Sequence, residues 1–240
     1  MRLVADIHTH TISSGHAYST IQEMAAGAKQ NGMEMIAITD HGPSLPGASG
    51  IFHFSNMKVI PEYIYGIRII KGVEANIINS DGDVDIPDRV LRKMEFVLAS
   101  LHDVVIEPFS MDENTRALIN VLKNPLIDAV AHPGNPKFQV DIEKVVKAAK
   151  EYNKLLEINN QSFITRRGSE ENCIKFALKC KEYGVRVVCG SDAHISFEVG
   201  IFDKVYKILE KAEMPEELVL NTSTDKIENY LLERKKRIGK

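Results

Sequence analysis

The sequence predicts an α/β fold in which seven parallel strands form an incomplete or irregular (β/α) barrel. Seven short apolar runs, rich in β-branched residues, alternate along the chain with longer segments of helical periodicity. Parallel strands need a crossover helix between them, so this alternation indicates a parallel sheet. The chain has 240 residues, whereas a regular eight-unit barrel takes about 250. An open, doubly wound sheet is the alternative architecture.

The elements follow from local signals. Strands are predicted at residues 3–7, 35–39, 67–73, 96–101, 127–131, 155–159 and 186–190. Thr20 and Glu23 form a capping box that begins a helix, and Gly32 can end it. Further helices are expected at residues 112–123, 141–152 and 169–183, with two closing helices in residues 200–240. Residues 42–57 contain prolines and glycines, and we expect a loop over the site there.

Composition limits the function. The net charge is -3, so no strong basic field holds nucleic acid. The run Arg234-Lys-Lys-Arg237 is expected to be a solvated, frayed end. No apolar run approaches the ~18–20 residues of a membrane helix, and the first residues do not form a secretory signal. Three cysteines without CxxC spacing favour the cytoplasm. We expect one domain over residues 1–240.

Seven of the eight histidines share one structural phase, because each lies at or just after the end of a predicted strand. Two carboxylates, Glu74 and Asp192, also lie just after the ends of predicted strands. Strand ends of a barrel open onto one face, so these side chains should converge. A lone histidine is more often a satisfied core or loop residue, but seven in phase predict a metal site. The candidate ligands are His8, His10, His16, His41, Glu74, His102, His132, Asp192 and His194.

The ligand types narrow the choice of metal. Imidazole with carboxylate suits Zn²⁺, Mn²⁺, Fe²⁺ or Co²⁺, whereas Ca²⁺ and Mg²⁺ prefer oxygen. A catalytic ion uses three to four protein ligands, so the nine candidates fit two or three ions. Glu74, the single glutamate among them, is the expected bridging carboxylate.

The motifs around these residues resemble the PHP family, the polymerase and histidinol phosphatase superfamily. They are His8-x-His10, Thr-Asp-His41-Gly, Gly-Val-Glu74, Leu-His102, His132-Pro-Gly-Asn-Pro and Ser-Asp192-Ala-His194. Gly-His16-Ala-Tyr-Ser, Glu157-Ile-Asn-Asn and Arg167-Gly-Ser-Glu-Glu-Asn-Cys173 are similar to the short bacterial metal-dependent phosphatases of the YcdX type. The resemblance implies a distorted, TIM-barrel-like (β/α)7 barrel of the PHP type.

The resemblance also implies three zinc ions and a division of the ligands among them. The first set would be His8, His10, Glu74 and Asp192; the second Glu74, His102 and His132; the third His16, His41 and His194. Glu74, Asp192 and His194 are the predicted catalytic residues. A hydroxide bridging two ions would attack phosphorus in line, so the expected reaction is hydrolysis of a small phosphomonoester.

Other residues are candidates for supporting roles. Asp6 and Asp40 could orient ligand histidines, or could be capping and loop carboxylates. Arg166 and Arg167 could bind phosphate bidentately, or could be solvated.

Four more residues are candidates for contact with the substrate or for proton transfer. Ser169 could donate to phosphate or be a plain helix cap. Asn159 and Asn160 end a strand that faces the site and could position substrate. His53 in the loop could be a general acid or a surface histidine.

Several functions stay open at this point. An amidohydrolase-type enzyme also uses an HxH motif on its first strand, but Glu74 stands where a bridging lysine would be expected. A catalytically idle metal-binding domain would have lost ligands. Within the phosphatase class, oligonucleotides, nucleotide 3′-phosphates and histidinol phosphate remain candidate substrates. Mn²⁺ or Fe²⁺ could replace Zn²⁺. We expect no membrane and no stable nucleic-acid complex, and a cyclic homo-oligomer, with a trimer as the specific hypothesis.

Overall fold

A computed structural model describes residues 1–239. The strands are β1 Ala5–Thr9, β2 Met35–Ile38, β3 Tyr63–Ile64, β4 Ile67–Asn76, β5 Phe96–Ser100, β6 Ala129–Val130, β7 Leu155–Asn159 and β8 Val187–Gly190. The helices are α1 Ile21–Gln30, α2 Ile51–Asn56, α3 Asp88–Leu91, α4 Met111–Lys123, α5 Ile142–Glu151, α6 Ser162–Thr165, α7 Ser169–Tyr183, α8 Asp203–Lys211 and α9 Thr224–Arg237. In residues 1–239, no helix has both the length and the apolarity to cross a membrane.

The sheet is a parallel barrel with the strand order β1-β2-β4-β5-β6-β7-β8. All seven predicted strands are present, and the open doubly wound alternative is wrong. The two end strands approach each other: Thr9 forms a parallel bridge with Ala193, and the Asp192 amide donates to His8 O over 2.9 Å. Below these contacts, the Asn221 side chain donates to Ala5 O (2.9 Å) and Cys189 O (2.8 Å). Asn221 thus joins β1 to β8 where their backbones do not pair.

Two cores hold the barrel together. Strand residues such as Ile7, Ile70 and Leu98 fill its interior, and α9 closes the amino-terminal end with Ile227 and Tyr230. A larger core lies between the strands and the surrounding helices. The capping box of α1 is confirmed, because Thr20 accepts from the Glu23 amide and the Glu23 carboxylate accepts from Thr20. The apolar faces of the crossover helices contribute to this larger core and cover the outer face of the strands.

Three predictions need correction. Residues 42–57 are more than a loop, because α2 forms within them and is anchored by buried Phe54. The additional strand β3 pairs antiparallel with β4 across a turn at Tyr65 and Gly66, both with positive φ. Such a two-residue turn suits a tight hairpin. The run from Arg234 to Arg237 is not frayed: it completes α9, and Arg234 is 1% exposed.

Candidate metal centre

The predicted ligands converge at the carboxyl-terminal end of the barrel. Six of them are buried, while His102 and His194 are half-buried and His16 is exposed. Contacts join all nine into one cluster. A bulge in β1 helps to form it, because the pairing with β2 shifts between Asp6 and Thr9. Ile7 belongs to the barrel interior, so strict alternation would turn His8 outward; the bulge turns it inward.

Glu74 lies at the middle of the cluster. Its Oε1 is 2.8 Å from His132 Nε2 and 3.3 Å from His102 Nε2. Its Oε2 is 3.2 Å from His8 Nε2 and 3.4 Å from His10 Nε2. The two carboxylate oxygens therefore face two different pairs of histidines. His41 also approaches Oε2, with 2.8 Å between that oxygen and its Nδ1.

Asp192 forms the second acidic corner of the cluster. Its Oδ1 is 3.1 Å from His10 Nε2 and 3.5 Å from His8 Nε2. Its Oδ2 accepts from both terminal nitrogens of Arg166 at 3.3 Å. Asp192 has φ 60° and His132 has φ 31°, backbone conformations that side chains other than glycine seldom adopt. Such strain persists where surrounding contacts fix it, and it is concentrated at functional sites.

The orientation of five imidazoles is fixed through Nδ1. His8 Nδ1 is 2.7 Å from Glu157 Oε1, and His102 Nδ1 is 2.8 Å from Asn76 Oδ1. His16 and His194 donate from Nδ1 to backbone carbonyls, and His10 Nδ1 is 3.1 Å from the Ser14 hydroxyl. A proton held on Nδ1 leaves the lone pair on Nε2, the form in which histidine ligates a metal.

The aspartates predicted to orient histidines act differently from each other. Asp40 accepts from the Ser14 hydroxyl over 2.7 Å, and that oxygen in turn contacts His10. Asp40 therefore reaches a ligand through one hydroxyl. Asp6 contacts no ligand ring; it accepts the backbone N–H groups of Ser191 (3.0 Å) and Gly200 (2.8 Å). Burial raises the pKa of Asp6 to about 6 although these hydrogen bonds oppose the shift.

Electrostatics favour neutral imidazoles around ionised carboxylates. Burial lowers the pKa of His10, His16, His102 and His132, with neighbouring cationic groups adding to the shift. Burial opposes ionisation of Glu74 and Asp192, but the adjacent histidines outweigh it and hold both pKa values well below normal.

His8 is the exception among the imidazoles. Burial opposes its protonation, yet the carboxylates of Glu157, Glu74 and Asp192 outweigh burial and hold the His8 pKa well above normal. A metal ion bound at His8 Nε2 would take the place of the second proton, and the three carboxylates that favour this proton would favour the cation in the same way.

The unsatisfied atoms of the cluster fit divalent cations. Glu74 Oε2, His41 Nδ1 and His102 Nε2 are buried without a hydrogen-bond partner. The Nε2 atoms of His8 and His10 face each other at 3.0 Å, and those of His16 and His194 at 2.9 Å. Lone pairs that converge in this way suit a metal with nitrogen and oxygen ligands.

Three overlapping sets of residues each bring their donor atoms within 4.8 Å of one another. The sets are His10, His41 and His194; His8, His10 and Glu74; and His41, Glu74 and His102. These sets share His10, His41 and Glu74, whereas the division that the resemblance implies shares only Glu74, so the boundaries differ.

A cavity of about 570 Å³ opens onto the cluster. Histidines line its base, Leu45, Pro46 and Val104 form an apolar wall, and Arg166 and Gln161 lie among its polar lining. The predicted phosphate contact Arg166 therefore reaches the cavity. Arg167, next to it in sequence, is exposed and does not line the cavity.

The structure places the remaining substrate candidates elsewhere. The Ser169 hydroxyl donates to Ser162 O over 2.6 Å. Asn160 Oδ1 accepts from the Lys204 amide at the start of α8, over 2.9 Å. His53 Nε2 lies 3.3 Å from Asp40 Oδ2, and His53 lines a different surface cavity beside Phe52. Ser169 and Asn160 are thus used in folding contacts, and none of the three residues lines the metal-centre cavity.

Glu157 is a partner of two ligands that was not predicted from the sequence. Its Oε2 accepts the His132 backbone N–H over 2.7 Å, while its Oε1 contacts His8. Asn159 donates to both Glu157 and Asp192 over 3.2 Å. Glu157 lies in the middle of β7 and faces inward like Leu155, so a carboxylate in the buried strand was the available signal.

Comparisons with known proteins agree with this architecture. The PHP domain family matches residues 6–163. A protein of Acetivibrio thermocellus named "Probable phosphatase" is 63% identical over 238 residues, covering 99% of each chain. A protein of Caldanaerobacter subterraneus subsp. tengcongensis, also named a probable phosphatase, is 58% identical over 241 residues, covering 100% of this chain and 95% of the relative.

Two solved structures share the fold. Histidinol phosphate phosphatase from Lactococcus lactis, complexed with zinc, L-histidinol and phosphate, aligns with a TM-score of 0.67 at 17% identity, covering 90% of this chain and 95% of that one. A chain of an archaeal ribonuclease P bound to mature tRNA aligns with a TM-score of 0.62 at 14% identity, covering 98% and 93%. With the family match and the full-length relatives, these alignments lead to one conclusion: the chain belongs to the PHP domain family.

Proposed function

We propose that the chain is a metal-dependent phosphatase that hydrolyses phosphomonoesters at a trinuclear zinc centre. The observation that carries the proposal is the position of Glu74, whose two oxygens face separate pairs of histidines beneath an open cavity. The full-length relatives named probable phosphatases support the reaction class. The zinc of the Lactococcus lactis structure supports the choice of metal.

The three predicted ligand sets remain the proposed division. Glu74 Oε2 faces His8 and His10 of the first set, and Glu74 Oε1 faces His102 and His132 of the second. The facing Nε2 atoms of His16 and His194 support the third set, which His41 would complete. When bound, the ions would acidify water and neutralise the charge of the phosphate oxygens.

The chain's own residues prepare the site for a phosphate. Arg166 contributes a fixed positive charge beside the cavity, held at Asp192 over 3.3 Å. A guanidinium can bind two phosphate oxygens at once. Asp192 and His194 follow β8 directly, and we assign them a catalytic role with Glu74. The apolar wall of Leu45, Pro46 and Val104 would contact the leaving group of the ester.

Several finer features belong to the same proposal. The whole chain forms one domain, in the cytoplasm, where its three buried free cysteines stay reduced. Its partners are small phosphorylated substrates, and it forms a homo-oligomer. Nucleotide 3′-phosphates, oligonucleotides and histidinol phosphate are the first substrates to screen.

Metal analysis combined with one assay tests the proposal. Metal per chain would be measured by plasma mass spectrometry on protein of known p-nitrophenyl phosphate turnover. About three ions per chain with phosphatase activity are expected, because at three to four ligands per ion the nine side chains suffice for three. After chelation, Zn²⁺ or Mn²⁺ should restore turnover and Mg²⁺ alone should not. One or two ions with esterase or amidase activity and no phosphatase activity would contradict it.

The Glu74→Gln variant tests the bridging role. Loss of the charge that both ligand groups share should lower kcat by more than about 100-fold, since even outer contacts of a metal site cost about 10–100-fold. The exposed Glu182→Gln variant, which only breaks a surface ion pair with Lys179, is the matched control. A Glu74→Gln enzyme with near-wild-type kcat would exclude the mechanism.

A further inference from the structure

A second cavity lies at the other end of the barrel from the metal centre. It has a volume of about 550 Å³, within the range of about 300–1,000 Å³ that is typical of ligand sites. Arg68 at the start of β4, Glu95 just before β5 and Arg234 of α9 contribute to its lining. We call it the basal cavity, because α9 closes the amino-terminal end of the barrel beside it.

Four lysines give the basal cavity its charge. Lys58, Lys71, Lys93 and Lys235 all line it. They come from four different parts of the chain, so the fold, not a local run of sequence, brings them together. Within residues 1–239, no carboxylate lies within 4.0 Å of any of these four ammonium groups, although many other lysines of this chain have such partners.

The acidic groups near the cavity offset only part of its positive charge. Arg68 contacts Glu95 at 2.6 Å, Glu62 at 3.4 Å and Glu228 of α9 at 3.3 Å. Arg234 contacts Asp128 at 3.1 Å. The four lysines and two arginines carry six positive charges against the four negative charges of these carboxylates, so the concave space keeps a net positive charge. Concave surfaces with charge of one sign concentrate counter-ions.

The apolar part of the lining indicates which kind of anion the basal cavity would bind. Phe54, Met94 and Ile238 form an apolar side of the same cavity. We propose that the basal cavity binds a small organic polyphosphate, with the phosphate groups among the lysines and an apolar ring against that side. Lysine ammonium groups suit phosphate oxygens as point charges. A concave space of this volume suits a mononucleotide-sized ligand and is too small for a duplex nucleic acid.

Isothermal titration calorimetry on the metal-loaded protein tests this site. The probes are adenosine 5′-(β,γ-methylene)triphosphate, which resists hydrolysis and carries a ring, and methylenediphosphonate, which carries none. The Lys71→Gln/Lys93→Gln variant should bind the nucleotide analogue at least about tenfold more weakly, because two charged contacts are lost. Its p-nitrophenyl phosphate turnover and Tm should stay at wild-type values. The ring-free probe should bind wild-type protein more weakly than the nucleotide analogue.

Three controls separate the basal cavity from other sources of binding. The Lys144→Gln/Lys175→Gln variant removes the same charge from the exposed faces of α5 and α7, where both lysines have acidic partners. It should bind like wild type. Arg166→Ala should also keep the binding, because Arg166 lines the other cavity. The Lys58→Gln/Lys235→Gln variant should repeat the loss from two different elements.

Two results would overturn the proposal. One is an unchanged Kd for the analogue in both cavity variants, or an equal weakening in the Lys144→Gln/Lys175→Gln control, which would indicate a net-charge effect. The other is binding that Arg166→Ala abolishes, which would assign the analogue to the metal centre. Neither result depends on whether the metal centre is a phosphatase.

Discussion

Among single residues that are not predicted ligands, Glu157 contacts two of the ligands at once. Both of its oxygens are used, one on the His8 ring at 2.7 Å and one on the His132 backbone N–H at 2.7 Å. A carboxylate on the second nitrogen of a ligating imidazole fixes its tautomer and raises its basicity. Glu157 therefore orients one ligand by its ring and another by its backbone.

The Glu157→Gln variant should lower the affinity for metal by about 10–100-fold. The amide has a single acceptor oxygen, so its NH₂ group must face either the ring N–H of His8 or the N–H of His132. Metal content after dialysis against graded chelator measures the effect, and kcat at saturating Zn²⁺ should recover in part.

Glu170→Gln, on the exposed face of α7 with Lys211 as its partner, is the control for that experiment. Wild-type metal retention in Glu157→Gln would show that this carboxylate is not needed to hold the ligands.

The cluster of candidate ligands could be predicted from the sequence, and Asp40 among their supports, but most of the other supporting residues could not. The position of each histidine at the end of an apolar run is visible in the few residues around it, without knowledge of the fold. Glu157 contacts a histidine 149 residues away, and Asn76 contacts His102 across 26 residues. Ser14 looks like an ordinary loop serine until the fold places it between Asp40 and His10. Pair contacts of this kind require the strand order, which no local pattern contains.

At the level of elements, β8 lies very close to side chains of β7 and β1, and this is possible because residue 190 is a glycine. A Cβ at Gly190 would lie 2.3 Å from Glu157 Oε1 and 2.5 Å from the His8 Cβ. Both distances are far below van der Waals contact. Gly190 therefore makes room for the Glu157–His8 pair between β7 and β1.

The Gly190→Ala variant should displace that pair and reduce both metal content and turnover, with a lower Tm. Gly50→Ala is the matched control, because a Cβ at Gly50 meets nothing within 4 Å. Normal metal content in Gly190→Ala would mean that Glu157 and His8 can move apart without loss of function.

Two arginines of helix α9, Arg234 and Arg237, lie against the barrel. Asp128 at the amino-terminal end of β6 contacts Arg234 at 3.1 Å and also pairs with Arg237. Lys154, before β7, donates to Asn124 O over 2.8 Å. The run of basic residues had suggested a solvated end because Asp128 is more than 100 residues away in sequence.

Lys154 should make stability depend on pH. Burial, aided by the two nearby arginines, lowers its pKa from 10.5 to about 7. Between these values the unfolded chain binds more protons than the folded one, so the free energy of unfolding rises with pH. The contribution of Lys154 is therefore least favourable below pH 7 and improves from pH 7 toward pH 10.

Chemical denaturation of wild type and Lys154→Met between pH 6.5 and 9 measures this slope. The difference between the two proteins should change with pH in that window, with the wild type gaining relative to the variant as pH rises. The exposed Lys175→Met variant should show a constant difference. A constant difference for Lys154→Met would place its pKa near that of a free lysine.

The whole molecule depends on how the barrel closes. Asn221 makes four hydrogen bonds across the gap between β1 and β8. Its backbone C=O accepts from Val4, its side chain donates to Ala5 O and Cys189 O, and its side-chain oxygen accepts from the Cys189 amide. Asn221 is fully buried, so its loss would leave several backbone groups without partners.

The Asn221→Ala variant should lower the free energy of unfolding by about 3 kcal/mol or more, because each unsatisfied buried group costs about 1–3 kcal/mol. Urea denaturation checks the value. Asn120→Ala on α4, where the side chain contacts only an exposed lysine, should change stability by less than about 0.5 kcal/mol. A similar small change in Asn221→Ala would show that β1 and β8 close without it.

Most of the fold was predictable at this scale. Seven apolar runs gave all seven parallel strands, since buried strands have a strong local signal. The two-residue strand β3 and the helix α2 were missed because each is too short for periodicity to identify. The closure at Asn221 was also missed, because an asparagine between helices resembles a loop residue until both end strands are placed.

The position of Asn221 also bears on how the protein is made. A ribosome produces β1 first, and its outer edge stays unpaired while the other strands and helices emerge. The contacts at Thr9 and Ala193 can form once β8 has emerged, but the amino-terminal part of the two edges is joined only when residue 221 is available. Until then the nascent chain exposes two strand edges, the feature that promotes association between chains. Slow translation of the region before Asn221 would therefore prolong the most vulnerable stage of its biosynthesis.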